Sequence, residues 1–223
     1  MHHSNAIRWP IRPVSGFSLV VVALLLAALV GCEKSGGPGP QSSTPVTPNL
    51  DTVPTVSWRT YQAVMLPFSH DDGPAIAYDT APHGYSHTPQ GALIAGLQAE
   101  ARLSLAPDQT WPTVVNTLIA PGAGRDRFAA ARAAVSITAA PDAAQVPAYV
   151  GYRWDSYTDS EAKVHVAVRQ NGQLFSKQLT LWWVRGFEDK PDDWMLLLPV
   201  DGLGDPPAPL SSLDGFIKFG SPS

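Results

Sequence analysis

Three histidines and two aspartates fall close together in the chain and could bind a metal ion. They lie within eighteen residues of one another and are His70, Asp71, Asp72, His83 and His87. Imidazole and carboxylate side chains are common ligands of zinc and other divalent ions. Their spacing matches none of the usual metal-binding motifs, and each falls in a predicted turn or just before a predicted helix. We therefore expect loop polarity and backbone capping here, with no metal or cofactor; metal binding is the alternative.

Three carboxylates, Asp155, Asp159 and Glu161, form a second acidic group that could supply a general acid and a general base. They flank a segment with the composition of an exposed hairpin turn, so we interpret them as solvated. The chain has no Gly-x-Ser-x-Gly motif, and Gly122-Ala123-Gly124 lacks the Lys and Ser/Thr of a phosphate-binding loop. The sequence therefore predicts a protein that is not an enzyme and has no catalytic residues.

The chain's single cysteine, Cys32, has a different chemistry. Before it come Arg8, Arg12 and an apolar run of fourteen residues from Phe17 to Val30, which is the layout of a secretory signal. That run is short for a transmembrane helix, which needs about 20 apolar residues. The segment that ends the run, Leu29-Val30-Gly31-Cys32, resembles the lipobox of bacterial lipoproteins. In those proteins a diacylglycerol is attached to the cysteine, and cleavage occurs just before it.

This resemblance implies an exported protein, held by lipid on Cys32 at the extracytoplasmic face of the cell membrane. We predict a signal peptide over 1–31, a lipidated cysteine and disordered Pro/Gly/Ser/Thr tether over 32–54, and one globular domain over 55–220. The alternative is an unmodified cysteine near an ordinary cleavage site. Cleavage would leave 13 of the 15 basic residues against 19 acidic ones, a net charge of −6. Such a charge argues against nucleic acid as a partner.

The first part of the predicted domain carries two short extended segments, 55–58 and 63–66, followed by helical patterns. Thr88 can cap a helix whose first residue is Pro89. Proline is suited to that position because the backbone N–H that it lacks would have no partner within the helix. Apolar residues then recur at helical spacing, which predicts a helix over Pro89–Leu105. Further helices are predicted from Pro112 to before Pro121 and over 125–135.

The second part of the domain changes to extended periodicity. Val164, Val166 and Val168 alternate with polar residues, as in a half-buried strand. Asn171-Gly172 is typical of a two-residue hairpin turn. The predicted strands are 147–157, 162–169, 173–185 and 194–198. We expect an α+β domain with N-terminal helices packed on one face of a curved four-stranded antiparallel sheet.

Aromatic residues supply the candidates for an interaction or ligand site. Trp182 and Trp183 are adjacent on one predicted strand, so they point to opposite faces of the sheet. One can fill the core, and the other faces outward unless an edge loop or the C-terminal segment covers it; exposed aromatics often anchor protein contacts. His87, just before the predicted cap, is expected to fix the path of the chain into the helix by hydrogen bonding, with ligand binding as the alternative.

Several segments resemble a known family. Leu66-Pro67, Gly73-Pro74, the segment 84–93 and Asp193-Trp194 are similar to uncharacterised actinobacterial proteins of mobile elements. The order of elements resembles the cone of nuclear transport factor two and its cystatin-like relatives. That fold includes extracytoplasmic domains of conjugation proteins and the VirB-eight-type scaffold of type four secretion, which usually carry a transmembrane helix where this chain has a lipobox.

Together these observations predict a non-enzymatic interaction or scaffold lipoprotein, with the membrane and a protein of the cell envelope as partners. The resemblance implies an accessory role in a conjugative or other mobile-element apparatus. The alternative is a cone that binds a small ligand or catalyses a reaction. A deep pocket with converging polar side chains would favour the alternative, and a space filled by Trp, Leu and Val would favour the first function.

Overall fold

The described part of the chain has an α+β fold in which helices precede a large antiparallel sheet. The structure is a computed structural model, and it describes residues 48–186, 191–202 and 204–221. The predicted signal peptide, Cys32 and most of the predicted tether lie outside these residues. Within the described ranges, no helix has the length and apolar character needed to cross a membrane.

A separate two-stranded sheet comes first. Strand β1 (Ser57–Tyr61) pairs antiparallel with β2 (Val64–Phe68), and Gln62 and Ala63 turn the chain between them with φ of 47° and 67°. Both residues lie in the left-handed region, as a tight two-residue hairpin turn requires.

Helix α1 (Pro89–Leu105) has the predicted bounds. Thr88 caps it, because its side-chain oxygen accepts a hydrogen bond from the Gly91 amide at 3.0 Å. The small residues of α1 allow close packing on the sheet: a Cβ at Gly96 would lie 3.2 Å from Leu181 and 3.3 Å from Leu179.

Two shorter helices follow, α2 (Trp111–Leu118) and α3 (Ala123–Arg132), and a 3-10 turn at Ala143–Gln145. Helix α3 ends three residues before the predicted end at 135. Its last residue, Arg132, is buried, and its guanidinium donates to the carbonyl oxygens of Val135 and Ala106. These bonds require the chain to turn back immediately after α3.

The large sheet contains the four predicted strands, now bounded as β3 (Ala148–Tyr157), β4 (Glu161–Gln170), β5 (Gln173–Val184) and β6 (Asp193–Leu196). They form the predicted antiparallel meander, and Asn171 and Gly172 make the predicted turn with φ of 51° and 76°.

The described sheet has six strands, so the prediction of four was wrong. Strand β7 (Ala208–Leu210) pairs with β5, and β8 (Ile217–Lys218) pairs with β3; the main order is β6-β5-β4-β3-β8. The two added strands are only three and two residues long. A segment of that length shows no period-two pattern, and a proline in the middle of β7 argued against a strand.

Apolar side chains fill the space between the helices and the sheet. Those less than 2% exposed include Trp194, Tyr152, Leu66, Leu93, Ile94, Leu97, Leu118, Ile119, Leu181, Val64 and Val114. Helix α1, β2, β4, β5 and β6 all contribute to this cluster. The interior of the described fold is therefore a packed core.

The end of the predicted tether contacts the domain. The Gln90 side-chain amide donates to the carbonyl oxygens of Asn49 at 3.0 Å and Thr52 at 2.9 Å. The Tyr152 hydroxyl also donates to Thr52, at 3.4 Å. The contacts of the domain thus begin before residue 55, which we had expected to be its first residue.

We expect Asp108 to make the stability of the fold depend on pH in the acid range. Hydrogen bonds from the Ile137 amide, Ser136 and Arg132 lower the pKa of Asp108 to about 2. Because the folded-state pKa lies below the usual value, this contribution is present above about pH 4 and is lost as the pH falls toward 2. The melting temperature of Asp108→Asn should therefore fall less steeply than that of the wild type between pH 4 and 2. Parallel slopes in that window would contradict this assignment.

Candidate functional site

Three of the segments that carry the family resemblance, those with Gly73, Gly84 and Asp193, meet around one buried carboxylate. Asp193 is 4% exposed, and its oxygens accept hydrogen bonds from the amides of Gly84 at 2.7 Å, Tyr85 at 2.9 Å and Trp194 at 2.9 Å. Burial raises the pKa of Asp193, and the three N–H donors oppose that shift. Gly73 packs against the same place, where a Cβ would lie 2.7 Å from the Gly84 carbonyl oxygen. These contacts make the cluster a structural junction.

Asp72 joins the same junction to the start of α1. Its carboxylate accepts hydrogen bonds from the hydroxyls of Ser86 at 2.9 Å and Thr88 at 3.0 Å. Since Thr88 also caps α1, Asp72 fixes the orientation of the cap. The hydrogen bonds of Asp72 therefore stabilise the path of the chain into α1.

The five residues considered as metal ligands do not converge on one point. His70 Nδ1 lies 2.8 Å from Asp71, and His83 Nδ1 lies 2.9 Å from the Ala81 carbonyl oxygen. Nowhere in the described ranges do three His, Cys, Asp or Glu side chains come together in a way that could hold a metal ion.

His87 joins α1 to the sheet. Its ring stacks on Trp183, with centroids 3.9 Å apart and planes 10° apart, and its Nε2 lies 2.6 Å from the Asp159 carbonyl oxygen. The hydrogen bond requires Nε2 to carry the proton, because a carbonyl oxygen only accepts. His87 thereby connects the start of α1 with β5 and with the turn that contains Asp159.

A structural role for His87 gives a clear expectation for His87→Ala. The variant should melt at a lower temperature because it loses the Trp183 stack and the bond to Asp159. Micromolar zinc should leave the melting temperatures of wild type and variant unchanged in differential scanning fluorimetry. A zinc-induced rise of several degrees that is absent in His87→Ala would overturn the structural role.

The candidate acid–base group is also divided among separate partners. The Asp155 carboxylate lies 2.9 Å from His165 Nε2. Glu161 pairs with Lys163 at 2.8 Å and accepts a hydrogen bond from Trp182 Nε1 at 3.2 Å. The hydrogen bond from Lys163 is the main reason that the pKa of Glu161 is lowered. Asp159 contacts His87 through its main-chain carbonyl oxygen. The three carboxylates therefore do not converge on one point.

The two adjacent tryptophans point to opposite faces of the sheet, as predicted. Trp183 packs against Trp194, with ring centroids 5.3 Å apart, and against His87 on the helix side. Trp182 lies on the other face and is 42% exposed. Of the two, only Trp182 presents a large aromatic surface to solvent.

A cavity of about 890 Å³ lies at the open edge of the sheet, and we call it the edge cavity. On this side of β5, β6 pairs with residues 181–184 and β7 pairs with residues 174–176. The described strands therefore leave a gap between them. The Thr180 carbonyl faces this side, since it accepts a hydrogen bond from the Leu197 amide at 2.8 Å. By alternation along the strand, the amide and carbonyl of Gln178 face the gap as well.

The two walls of the edge cavity differ in chemistry. The inner wall, on the helix side, is mainly apolar and includes Leu103, Phe128, Leu179, Leu196 and Leu198. The outer wall is formed by polar side chains on the opposite face of the sheet: Arg153, Lys163, His165, Ser176, Gln178 and Thr180. Residues within 197–202 and 204–206 also contribute to the lining. A ligand in this cavity would meet apolar and polar surface together.

An ion pair stands on the inner side of the edge cavity. Lys177 Nζ lies 3.2 Å from the Glu100 carboxylate, which also accepts a hydrogen bond of 2.6 Å from the Tyr149 hydroxyl. Burial, and then the charge of Glu100, raise the pKa of Tyr149 well above its usual value. The phenol therefore remains a donor, and Glu100 is held in place from two sides.

Ser176, His165 and Asp155 form a chain of contacts on the outer wall. Ser176 Oγ lies 3.4 Å from His165 Nδ1, and the other ring nitrogen contacts Asp155. These are the residue types of a nucleophilic triad. The serine is only 8% exposed, however, and its strand is paired with β4 and β7 at that residue. We interpret the three side chains as a polar network that holds His165.

The edge cavity was not predicted from the sequence, although some of its lining residues stand out there. The polar residues that alternate with Val164 and Val166 include Lys163 and His165 of the outer wall. The alternation predicts a half-buried strand and gives no sign of a cavity on its polar face. The cavity depends on the gap between β6 and β7 and on the paths of residues 197–202 and 204–206, which no local pattern specifies.

Comparison with known proteins gives one match. A family model described as "Domain of unknown function (DUF8175)" matches residues 31–218. No curated protein and no solved structure matches the chain.

Proposed function

The chain belongs to this domain family of unknown function, and we propose that it is a lipid-anchored extracytoplasmic protein whose domain acts without catalysis, by binding at the edge cavity. One observation carries the proposal: the space between helices and sheet is filled by side chains such as Trp194 and Leu97, while the edge cavity offers about 890 Å³. Ligand sites of small molecules commonly enclose roughly 300–1,000 Å³. Binding is therefore assigned to the sheet edge.

The finer parts of the proposal rest on the sequence. The lipobox-like segment before Cys32 supports the membrane anchor, since two acyl chains hold a protein stably on a bilayer. The resemblance to mobile-element and cystatin-like cone proteins supports an accessory role in a conjugative or other envelope apparatus. In that setting, exposed Trp182 is available to a protein partner, because aromatic side chains often anchor protein contacts.

Labelling with palmitate in cells tests the anchor. The wild type should be labelled and should fractionate with membranes, and Cys32→Ser should be neither labelled nor membrane-bound. Labelling of Cys32→Ser at the level of the wild type would overturn the lipid anchor.

Site-specific photocrosslinking in cells tests binding at the edge cavity. A photoreactive residue at Ser104, which lines the cavity, should give a defined adduct by mass spectrometry. The same residue at exposed Lys218 on β8 is the matched control and should give none. Equal adducts at both positions, or none at Ser104, would count against the proposal.

The catalytic alternative has its own test at Ser176. A fluorophosphonate, which labels activated serine nucleophiles, should leave this protein unlabelled, because Ser176 is only 8% exposed and its hydroxyl lies 3.4 Å from His165 Nδ1, a long contact for proton transfer. Labelling that disappears in Ser176→Ala would show an activated serine and overturn the non-enzymatic proposal.

A further inference from the structure

We propose that the edge cavity binds a small amphipathic acid, with its anionic group at Arg153 and its apolar body against Leu103, Phe128 and Leu198. This inference rests on the proposed function, because it specifies the ligand of the same cavity. It follows from the charges of the outer wall, the apolar inner wall and the gap that joins them.

The charges of the cavity walls are mostly paired within the protein. Lys163 is paired with Glu161 at 2.8 Å, and Lys177 with Glu100 at 3.2 Å. Arg153 differs, since no carboxylate of the described residues lies within ion-pair distance of it.

Arg153 is also positioned to receive an anion. Its guanidinium lies over the Phe216 ring, 5.1 Å from the centroid, and both residues line the cavity. In the pairing of β3 with β4, Arg153 is directly opposite His165. A planar guanidinium held against an aromatic ring keeps its N–H groups available for bidentate contact with a carboxylate.

The rest of the cavity favours an apolar body on that anion. From Arg153, a ligand crosses the outer wall and reaches the gap in front of Gln178, where a main-chain donor and acceptor face it. Beyond the gap lie Leu103, Phe128 and Leu198. An apolar chain or ring that packs on this inner wall is removed from water. This burial favours binding by about 25 cal/mol per Å² of apolar surface.

Two carboxylates of the cavity lining would favour a ligand of the opposite charge. Asp201 and Asp205 also line the cavity, and they would favour an amphipathic amine. The two chemistries predict opposite orders of affinity for ligands that share one apolar body.

Three ligands with one phenyloctyl body separate these cases: 8-phenyloctanoate, 8-phenyloctan-1-ol and 8-phenyloctylamine, titrated calorimetrically into the full chain carrying Cys32→Ser. A body of this length is needed because Arg153 and Gln178 are two strand spacings apart, about 10 Å. We expect the acid to bind about tenfold more tightly than the alcohol, as a charge-assisted bidentate contact allows, and the amine to bind most weakly. Equal affinity for acid and alcohol, or tighter binding of the amine, would overturn the proposal that the ligand carries an anionic group.

Variants at exposed positions assign the contacts. Arg153→Gln should remove the advantage of the acid over the alcohol, while Arg169→Gln, an exposed arginine on β4 that does not line the edge cavity, should keep it. Ser104→Phe should weaken the binding of acid and alcohol alike, because the larger side chain would fill the inner side of the edge cavity. Retained preference in Arg153→Gln would overturn the assignment.

The outcomes distinguish this inference from the proposed function. If none of the three ligands binds while the photocrosslink at Ser104 still forms, the ligand class is wrong and binding at the cavity stands. If neither occurs, both proposals fail.

Discussion

Replacing Asp193 with alanine should destabilise the domain by about 3–4 kcal/mol, because three amides lose a charged acceptor and two of them become buried without a partner. For a domain of this size, such a loss lowers the melting temperature by about 10 °C. Asp193→Asn keeps one acceptor oxygen and turns an NH₂ group toward an N–H donor, so its loss should be about half as large. Urea unfolding followed by circular dichroism measures both values.

Asp192 supplies a matched control for this prediction. It is the neighbouring residue, it is exposed, and its carboxylate accepts one hydrogen bond, from the Gly186 amide at 2.9 Å. Asp192→Ala should cost less than about 1 kcal/mol, because water replaces that single bond. Similar losses for Asp192→Ala and Asp193→Ala would show that the junction around Asp193 does not hold the fold together.

The role of Asp193 also shows where the sequence stopped being informative. The last predicted strand begins at residue 194, so the prediction left Asp193 outside the sheet. Its partners, Gly84 and Tyr85, are 109 and 108 residues away in sequence. Only the joint occurrence of their segments in the resemblance connected them. A single aspartate beside a tryptophan gives no local sign of burial, since aspartate is usually exposed.

Local signals were sufficient for the main elements. Thr88 and Pro89 identify the start of α1 because capping and the restricted φ of proline act within one turn of the helix. Asn171 and Gly172 identify the β4–β5 hairpin because both adopt positive φ. Helix α3 ended earlier than predicted because a tertiary contact, Arg132 with Asp108 at 2.9 Å, overrides the helical propensity of the alanines that follow.

The edge cavity is a consequence of strand lengths, and local patterns specify those poorly. Strand β6 was predicted to extend to residue 198 but ends at Leu196, where the chain leaves the edge of β5. The three-residue β7 then covers only the far end of that edge. Continuation of β6 along β5 in the same register would place Pro199 opposite Gln178. Proline has no N–H to donate to the Gln178 carbonyl, so regular pairing could not close the gap there.

Trp194→Ala should show whether the interior is a packed core. Trp194 is 1% exposed, its ring contacts Trp183, and its Nε1 donates to the Ser86 carbonyl oxygen at 3.1 Å. Removing a buried tryptophan leaves a cavity and typically costs about 3–5 kcal/mol. The free-energy cost of Trp194→Phe should be smaller than that of Trp194→Ala but not zero. Phenylalanine keeps most of the apolar volume, but it leaves the Ser86 carbonyl without its donor.

The neighbouring strand offers the control for that change. Trp182→Ala removes the same side-chain type from the exposed face of β5, where its Nε1 contacts only Glu161. Its cost should stay below about 1 kcal/mol, as for most surface substitutions, so a large difference between the variants is expected in urea unfolding followed by circular dichroism. If Trp194→Ala costs no more than Trp182→Ala, the space between helices and sheet is not a packed core. The interior could then hold a ligand as well, and binding would no longer be restricted to the edge cavity.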